Sequence, residues 1–320
     1  MSNISVKMIE WIKTPLESRL EFNITGVNHT VVNTFRRIIL SIIPTYSFNN
    51  IIITTNSSVF NNNYMKLRIR NMAVLGIHSD EMIYVPPVQI EKDDTNELEI
   101  DILNEQKDVN SNSLKLLTMY INHTNETNNI ITIGTNDCQF YLAEKQIKSP
   151  YDINIPIIKL QPTQQFKASA ITELGIENIS SIFSAVAIFT YKMINEKEYI
   201  VMFESRGQLN EKQIMQYAYE NIKKLLNDFL NLIPDKNDIV GKLLMNNADH
   251  TIGNLIADGL VKHKKVKFAG YNSPHLLDTK IMFHYELIEE TNIKEIMTEI
   301  VSHYIDVFEQ INKLIKQNIN

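Results

Sequence analysis

The sequence predicts an α+β fold built from two related halves, with a β-rich insert in the first half. Three observations lead to this prediction. Short runs with apolar residues at alternate positions indicate strands, and longer runs with apolar residues three or four positions apart indicate amphipathic helices. One strand–turn–helix pattern also occurs twice, once near the start of each half. A length of 320 residues, 44% of them hydrophobic, is enough for about two domains with cores of their own.

The first copy of the pattern lies near the start of the chain. Residues 19–26 alternate like a half-buried strand, and apolar residues then recur at helical spacing over about 30–42. Asn28 or Thr30 can cap this helix, and Pro44 lies just beyond its end. The apolar positions of the helix are Val31, Phe35, Ile38, Ile39 and Ile42.

The second copy lies in the second half, where residues 249–256 repeat the order Asn or Asp, His, Thr, β-branched aliphatic, any residue, Asn. A strand is predicted over 239–246 and a helix over about 251–263, followed by strands over about 265–271 and 279–288. Because related apolar helices often pair, the two halves are predicted to pack pseudo-symmetrically. The apolar positions that match between the copies are Phe22 with Leu243, Ile24 with Met245, Val31 with Ile252, Phe35 with Ile256 and Ile39 with Leu260.

The rest of the first half alternates between strands and one long helix. Residues 50–55 read as a buried strand, and residues 80–150 are polar with strand-like runs at 98–103 and 129–133. A helix with an apolar stripe is predicted over 211–232. We therefore expect the insert to be β-rich.

The two ends of the chain differ. Residues 1–18 are predicted to be a short lead-in, whereas Asn292 can cap a long terminal helix. Such a helix must lay its apolar stripe on other apolar faces, and the helices at 31–42, 211–232 and 251–263 are the predicted partners. The stripe consists of Ile293, Met297, Ile300, Tyr304, Phe308, Ile311 and Ile315.

Composition narrows the function classes. A formal net charge of −6 argues against a dedicated duplex-binding protein, which is more often basic. The single cysteine, Cys138, excludes an intramolecular disulfide and every multi-cysteine metal site. We expect neither a signal peptide nor a transmembrane helix, because the first residues lack an apolar core and no apolar run approaches about 18 residues. These features favour a reducing, soluble compartment.

Three common sequence signatures of catalytic and nucleotide-binding sites are missing. The nucleophile elbow, the P-loop and the dinucleotide-binding glycine pattern do not occur. His29 and His250 occupy matching positions, but no cysteine or second histidine lies near either one at ligand spacing. A turn histidine that hydrogen-bonds to the backbone is therefore favoured over a catalytic or metal pair. Residues 78–81 also combine nitrogen and oxygen ligands, and a solvated loop is favoured there. We predict no catalytic residue, no metal and no cofactor.

The helix of the first copy contains a family motif, in which Asn33 and Thr34 are followed by Arg36 and Arg37. With the strand before it, this motif resembles the α-like subunits of multisubunit DNA-directed RNA polymerases. The second copy, together with residues 268–275, resembles the small partner of the α-like pair. The resemblance implies that two halves, which are separate chains in cellular enzymes, are fused here. The implied domains are a large dimerisation domain at 1–55 and 156–234, an insert domain at 56–155 and a small dimerisation domain at 239–320.

The function that the resemblance implies is architectural. The chain would be an assembly platform that docks the largest and second-largest subunits of a DNA-dependent RNA polymerase, with small polymerase subunits as further partners. It would meet DNA only through the assembled complex and would not bind a membrane. Fusion of the halves resembles the arrangement in nucleocytoplasmic large DNA viruses, which implies the host cytoplasm (the viral factory) and the virion, with the nucleus as the alternative. The implied subunit-interface residues are Asn33, Thr34, Arg36, Arg37, His250, Thr251, Asn254, Pro274 and His275.

Other interpretations of these residues stay open at this stage. Arg36 and Arg37 could form a solvated helix face, and Pro274 and His275 could form a structural turn. The basic run at 262–267 could contact phosphate, which makes a nucleic-acid-binding module the alternative function. The simpler interpretation of that run is a solvated helix C-terminus, where cations suit the helix dipole. An enzyme with a site in the insert is a third class.

Overall fold

The computed structural model describes residues 4–14, 18–75, 77, 116–143, 145–246, 250–275 and 280–319. The chain forms two compact units. The first unit consists of Met1–Ile43 with Ser184–Asn320, and the second unit is Pro44–Phe183. Helices and sheets are mixed in the chain, which confirms the predicted α+β class.

The secondary-structure elements follow one another in this order. The first unit begins with β1 (Ser5–Lys13), β2 (Ser18–Thr25) and α1 (His29–Ser41). The second unit contains β3 (Thr45–Asn56), α2 (Asn62–Arg70), β4 (Leu117–Thr124), β5 (Ile131–Gly134), β6 (Gln139–Leu142), β7 (Lys145–Ile147), β8 (Pro156–Leu160) and β9 (Gln165–Gly175). The first unit resumes with β10 (Val186–Asn195), β11 (Glu198–Ser205), α3 (Glu211–Asn231), β12 (Asn237–Asn246), α4 (His250–Lys262), β13 (Val266–Asn272), β14 (Lys280–Asn292) and α5 (Ile293–Asn318).

The first unit contains the same arrangement twice. The first repeat is β2, α1, β10, β11 and α3, and the second repeat is β12, α4, β13, β14 and α5. The first sheet has the strand order β1-β2-β11-β10 and the second sheet has the order β12-β14-β13, all antiparallel. In each repeat the last strand lies between the other two. The predicted pair of related halves is therefore confirmed at the level of topology.

The helices of the two repeats share one core. α1 packs against α3, α4 and β10, and α5 packs against α3, α4 and β1. Phe35 of α1 meets Phe308 of α5 edge to face, with ring centroids 4.9 Å apart. Both rings are buried, as are Ile39 and Ile256. Each large apolar side chain buried in this way stabilises the fold by about 1.5–3 kcal/mol.

The terminal helix is confirmed together with its apolar stripe. α5 has 26 residues and spans about 39 Å. Its N-cap is Asn292, whose side chain accepts a hydrogen bond from the backbone N–H of Lys294 at 2.9 Å. All seven residues of the predicted stripe, from Ile293 to Ile315, are buried.

The predicted lead-in at residues 1–18 is wrong, because Ser5–Lys13 forms β1 at the edge of the first sheet. Val6 faces the core, and its backbone carbonyl accepts a hydrogen bond from Asn318 at 3.3 Å. The pairing register shifts between Met8 and Glu10. This irregularity interrupts the alternation of apolar residues, so the sequence pattern does not show a strand.

The second unit is a five-stranded sheet, with strand order β3-β9-β4-β6-β7, and a separate β5-β8 pair. Its helix α2 lies on β3. The unit is wider than the segment 56–155 predicted for the insert, because β3 and β9 pair with each other along their length. The predicted strand at 98–103 lies outside the described residues, and the one at 129–133 corresponds to β5. The domain bounds themselves stay a prediction.

Of the helices that the structure describes, none combines the length and apolar character needed to cross a bilayer.

Candidate functional site

The two signature helices, α1 and α4, meet at a polar contact. The Nε atom of Arg37 donates a hydrogen bond to Oγ1 of Thr251 at 2.6 Å. Thr251 is buried, and Arg37 is half-buried. A hydrogen bond with one charged partner stabilises a fold by about 1.5–3 kcal/mol. The contact brings together two of the predicted interface residues, but within the chain rather than with another subunit.

A second polar contact joins three helices at Asp258. Asn28 caps α1 by accepting a hydrogen bond from the N–H of Val31 at 3.2 Å, and its Nδ2 donates to Oδ2 of Asp258 at 2.8 Å. The same carboxylate oxygen accepts from Oη of Tyr304 and from Nζ of Lys262, both at 2.6 Å. Asp258 therefore connects the start of α1 to α4 and α5.

The tyrosine in this cluster stays protonated. Burial raises the pKa of Tyr304, and the hydrogen bond to Asp258 and the charge of Asp258 raise it further. The hydroxyl therefore remains a donor to the carboxylate at every physiological pH. Sequence analysis did not single out Asp258. Of the residues that contact Asp258, only Asn28 had a predicted role, as a helix cap.

Fewer of the motif residues on α1 are exposed than the sequence motif suggested. Thr34 is buried, and its hydroxyl donates to the carbonyl of Thr30 at 2.8 Å. Asn33 and Arg36 are half-buried, and Nε of Arg36 donates to Oδ1 of Asn33 at 3.1 Å. Within the described part of the chain, the terminal nitrogens of Arg36 have no hydrogen-bond partner. Asn33 and Arg36 are thus the motif residues available to a partner on this helix.

The predicted interface residues of the second repeat lie on α4 and in the loop after β13. His250 is exposed, and its ring lies 5.8 Å from the ring of Tyr271 in β13. Asn254 is half-buried one helical turn further along α4. Pro274 and His275 are exposed, and the carbonyl of His275 accepts a hydrogen bond from the hydroxyl of Ser273 at 2.9 Å.

The two matching histidines occupy equivalent places in the repeats. His29 lies 5.8 Å from the ring of Tyr191, and the Nε2 atom of His29 is 2.9 Å from the tyrosine hydroxyl. Tyr191 belongs to β10, which corresponds to β13 with Tyr271. The predicted backbone hydrogen bond of the turn histidine is thus replaced by a tyrosine contact at His29. Among the residues that the structure describes, no three His, Cys, Asp or Glu side chains cluster as metal ligands would.

The basic run at 262–267 is partly neutralised. Lys262 pairs with Asp258 at 2.6 Å, and Lys267 pairs with Glu286 at 2.6 Å. Nε2 of His263 lies 3.1 Å from a carboxylate oxygen of Glu299. The hydrogen bond from His263 lowers the pKa of Glu299, and nearby lysines lower it further. Two of the four lysines of this run are therefore directed at carboxylates of the protein itself.

The lone cysteine is not a reactive group. The thiol of Cys138 is half-buried and donates to the carbonyl of Gly134 at 3.3 Å. Burial raises the pKa of Cys138 to about 12, and the charge of Asp137 adds to the effect. The thiolate that nucleophilic chemistry requires is therefore not populated at neutral pH.

Both repeats match models of a known protein family. Residues 21–226 match a family model described as the RNA polymerase Rpb3/Rpb11 dimerisation domain, and residues 241–314 match a second model with the same description.

Individual relatives are also polymerase subunits by name. The chain is 23% identical over 338 aligned residues to a protein of Acanthamoeba polyphaga mimivirus that is named as a putative DNA-directed RNA polymerase subunit. The alignment covers 98% of this chain and 94% of the mimivirus protein. It is 26% identical over 186 residues to human DNA-directed RNA polymerases I and III subunit RPAC1, covering 56% of this chain and 52% of the human protein. It is 36% identical over 69 residues to subunit RPAC2 of Caenorhabditis elegans, covering 22% of this chain and 48% of the nematode protein.

Proposed function

Because the chain belongs to the RNA polymerase Rpb3/Rpb11 dimerisation family, we propose that it is a non-catalytic assembly subunit of a DNA-dependent RNA polymerase. It pairs its own two repeats and docks the two large catalytic subunits. The observation that carries this proposal is the shared core of α1 and α4, which joins two family domains within one polypeptide.

Fusion of the repeats has a physical advantage. Two separate chains would need an interface of roughly 2,000 Å² or more to remain permanently associated. A linker converts the same pairing into an intramolecular event with an effective concentration that reaches about the millimolar range. A fused platform is therefore assembled as soon as it folds, before any large subunit binds.

The exposed motif residues of α1 form the first part of the proposed docking surface. A guanidinium group binds carboxylates through two parallel hydrogen bonds, and arginine is enriched at protein interfaces. Arg36 offers its terminal nitrogens, and Asn33 fixes the position of its Nε atom. Asn254, His250, Pro274 and His275 extend the surface in the second repeat. We propose the second-largest subunit as the partner of Arg36.

The proposed setting is viral. A mimivirus protein that is named as an RNA polymerase subunit aligns with 98% of this chain. This similarity supports the proposal. We propose action in the host cytoplasm and packaging in the virion, with the nucleus as the alternative. Small polymerase subunits are further proposed partners, and DNA is met only through the assembled complex.

The test is reconstitution with the two large subunits encoded in the same genome. A tagged form of this chain is co-expressed with both, and the complex is isolated by affinity and size-exclusion chromatography and identified by mass spectrometry. We expect all three chains to elute together. If neither large subunit elutes with the wild-type chain, the proposed function is wrong.

Direct nucleic-acid binding is the second candidate, and the ion pairs of Lys262 and Lys267 in the run at 262–267 argue against it. Electrostatic binding to duplex DNA weakens steeply with salt. We expect the isolated chain to bind duplex DNA weakly and to lose that binding at physiological salt. Selective binding that persists at physiological salt would favour the nucleic-acid-binding module instead.

A further inference from the structure

The shared core joins two repeats of the same topology, and each repeat presents two helices to the other. In an interface between identical partners, each contact occurs twice, once from each side. If each repeat could also pair with its own kind, the two pairing surfaces of one chain would link successive chains into open polymers. At two places in the core the repeats differ from each other, and both differences oppose the pairing of like repeats.

The first difference lies where α1 meets α4. The alignment of the repeats matches Arg37 with Asp258, so that equivalent positions carry opposite charges. Both side chains are half-buried, and each reaches the start of the opposite helix. Arg37 donates to Oγ1 of Thr251 at 2.6 Å, and Asp258 accepts from Nδ2 of Asn28 at 2.8 Å.

These charges are balanced only when unlike repeats pair. A pair of unlike repeats contains one cation and one anion at the matching positions, whereas a pair of like repeats would contain two arginines or two aspartates. The second repeat also lacks the amide of Asn28, because its sequence has Asp249 at that position. In a pair of second repeats, each Asp258 would therefore lose this donor, and the two like charges would oppose association. Lys262 accompanies Asp258 on the same helix in every pairing, so their ion pair does not distinguish the partners.

The second difference lies between α3 and α5. When these helices are aligned at their N-caps, Asn312 matches Leu230, and Gln216 matches Thr298. Asn312 is buried, and its Nδ2 atom donates to Oε1 of Gln216 at 2.9 Å. In a pair of second repeats, Asn312 would instead face Thr298, whose shorter side chain is exposed and bonded to its own helix. Buried polar contacts between helices are well suited to fixing which helices pair and in which register.

We propose that Arg37, Asp258 and Asn312 restrict pairing to unlike repeats and so prevent two copies of the chain from joining through like repeats. The selected partner is the other repeat of the same chain, because the connection between the repeats favours it over the equivalent repeat of a second copy. The inference rests on the pairing of the repeats in the proposed function. It is tested without the large subunits, so its failure is distinguishable from a failure of docking.

The test uses the full chain with a protease site in place of the exposed residues 234–236, purified intact and then cleaved. The two parts exchange partners at a low urea concentration, and native mass spectrometry identifies each pair by its mass. We expect the wild type to give pairs of unlike parts, and Asp258→Asn to give pairs of two second parts at least about tenfold more often than the wild type. Lys262→Gln is the matched control, because it removes a charge beside Asp258 but keeps the contact between the repeats. This control should give the same pairs as the wild type.

Each other outcome has a defined meaning. If Asp258→Asn and the wild type form the same fraction of like pairs, the inference is overturned while the proposed function stands. If the wild type itself forms like and unlike pairs in comparable amounts, the inference is also overturned. If the wild-type parts do not stay associated, the pairing in the proposed function fails and the inference fails with it. Should Asp258→Asn not fold, Asn312→Leu decides instead, because it gives the second repeat the leucine of the first and must also produce pairs of two second parts.

Discussion

Arg36 and Arg37 are neighbours on α1 with different surroundings. Arg37 is bonded to Thr251 of the other repeat, whereas Arg36 is bonded to Asn33 of its own helix and keeps its terminal nitrogens free among the described residues. The sequence motif presents the two arginines as a pair with one role. The structure instead supports a division of roles, since one joins the repeats and the other is available to a partner.

Charge reversal should separate these roles. We expect Arg37→Glu to lower the free energy of unfolding by about 1.5–3 kcal/mol, because the hydrogen bond to buried Thr251 is lost. Arg36→Glu should leave stability within about 0.5 kcal/mol but remove the second-largest subunit from the complex. Urea unfolding and co-purification measure the two effects. Equal stability of Arg37→Glu and the wild type would contradict the structural role of Arg37.

The hydroxyl of Tyr304 supplies a second prediction at this scale. Tyr304→Phe removes one hydrogen bond to Asp258 and keeps the ring, so we expect a loss of about 1–2 kcal/mol in the free energy of unfolding. Tyr191→Phe is the matched control, because it removes a hydroxyl that contacts His29 at an exposed site. That control should change stability by less than about 0.5 kcal/mol. Equal effects of the two substitutions in urea unfolding would show that the hydrogen bond from Tyr304 to Asp258 does not contribute to the free energy of unfolding.

At the scale of elements, α4 and α5 approach each other closely at Gly259. A Cβ atom there would lie 2.4 Å from Cγ2 of Ile300, which is buried and β-branched. Alanine raises helix propensity by about 1 kcal/mol over glycine, but overpacking costs about 1–3 kcal/mol. We expect Gly259→Ala to destabilise the wild type and to stabilise the Ile300→Ala background. A double-mutant cycle by thermal unfolding measures this, and additive effects would refute the close approach.

Elements with strong local signals were predictable from the sequence. α1 and α4 were predicted to within one residue at each end, because their apolar spacing is regular and Asn28 caps the first of them. β1 was missed because the irregularity near Met8 breaks its alternation. The contacts that make up the site were not predictable, since Arg37–Thr251 and Asn28–Asp258 join residues far apart in the sequence. A threonine or aspartate inside a helix gives no local sign of such a contact.

At the scale of the whole molecule, the shared core implies a chain that needs no α-like partner. We expect the recombinant protein to be a monomer in light scattering, because the surfaces that a separate small subunit would cover are already buried between the repeats. A stable homodimer at micromolar concentration would contradict this expectation.

Cutting the chain between the repeats tests the same idea more directly. Pro234 to Lys236 are exposed between α3 and β12, so the chain can be opened there without entering the core. We expect the two co-expressed fragments to purify together, because the contacts of α1 with α4 and of α3 with α5 do not depend on the connection.

The association of two chains makes the unfolding temperature depend on protein concentration, whereas the unfolding temperature of the intact monomer does not depend on it. Differential scanning calorimetry over a hundredfold concentration range distinguishes the two. Fragments that fold separately and never associate would show that the repeats do not share a core in solution, and the platform would then lose its physical basis.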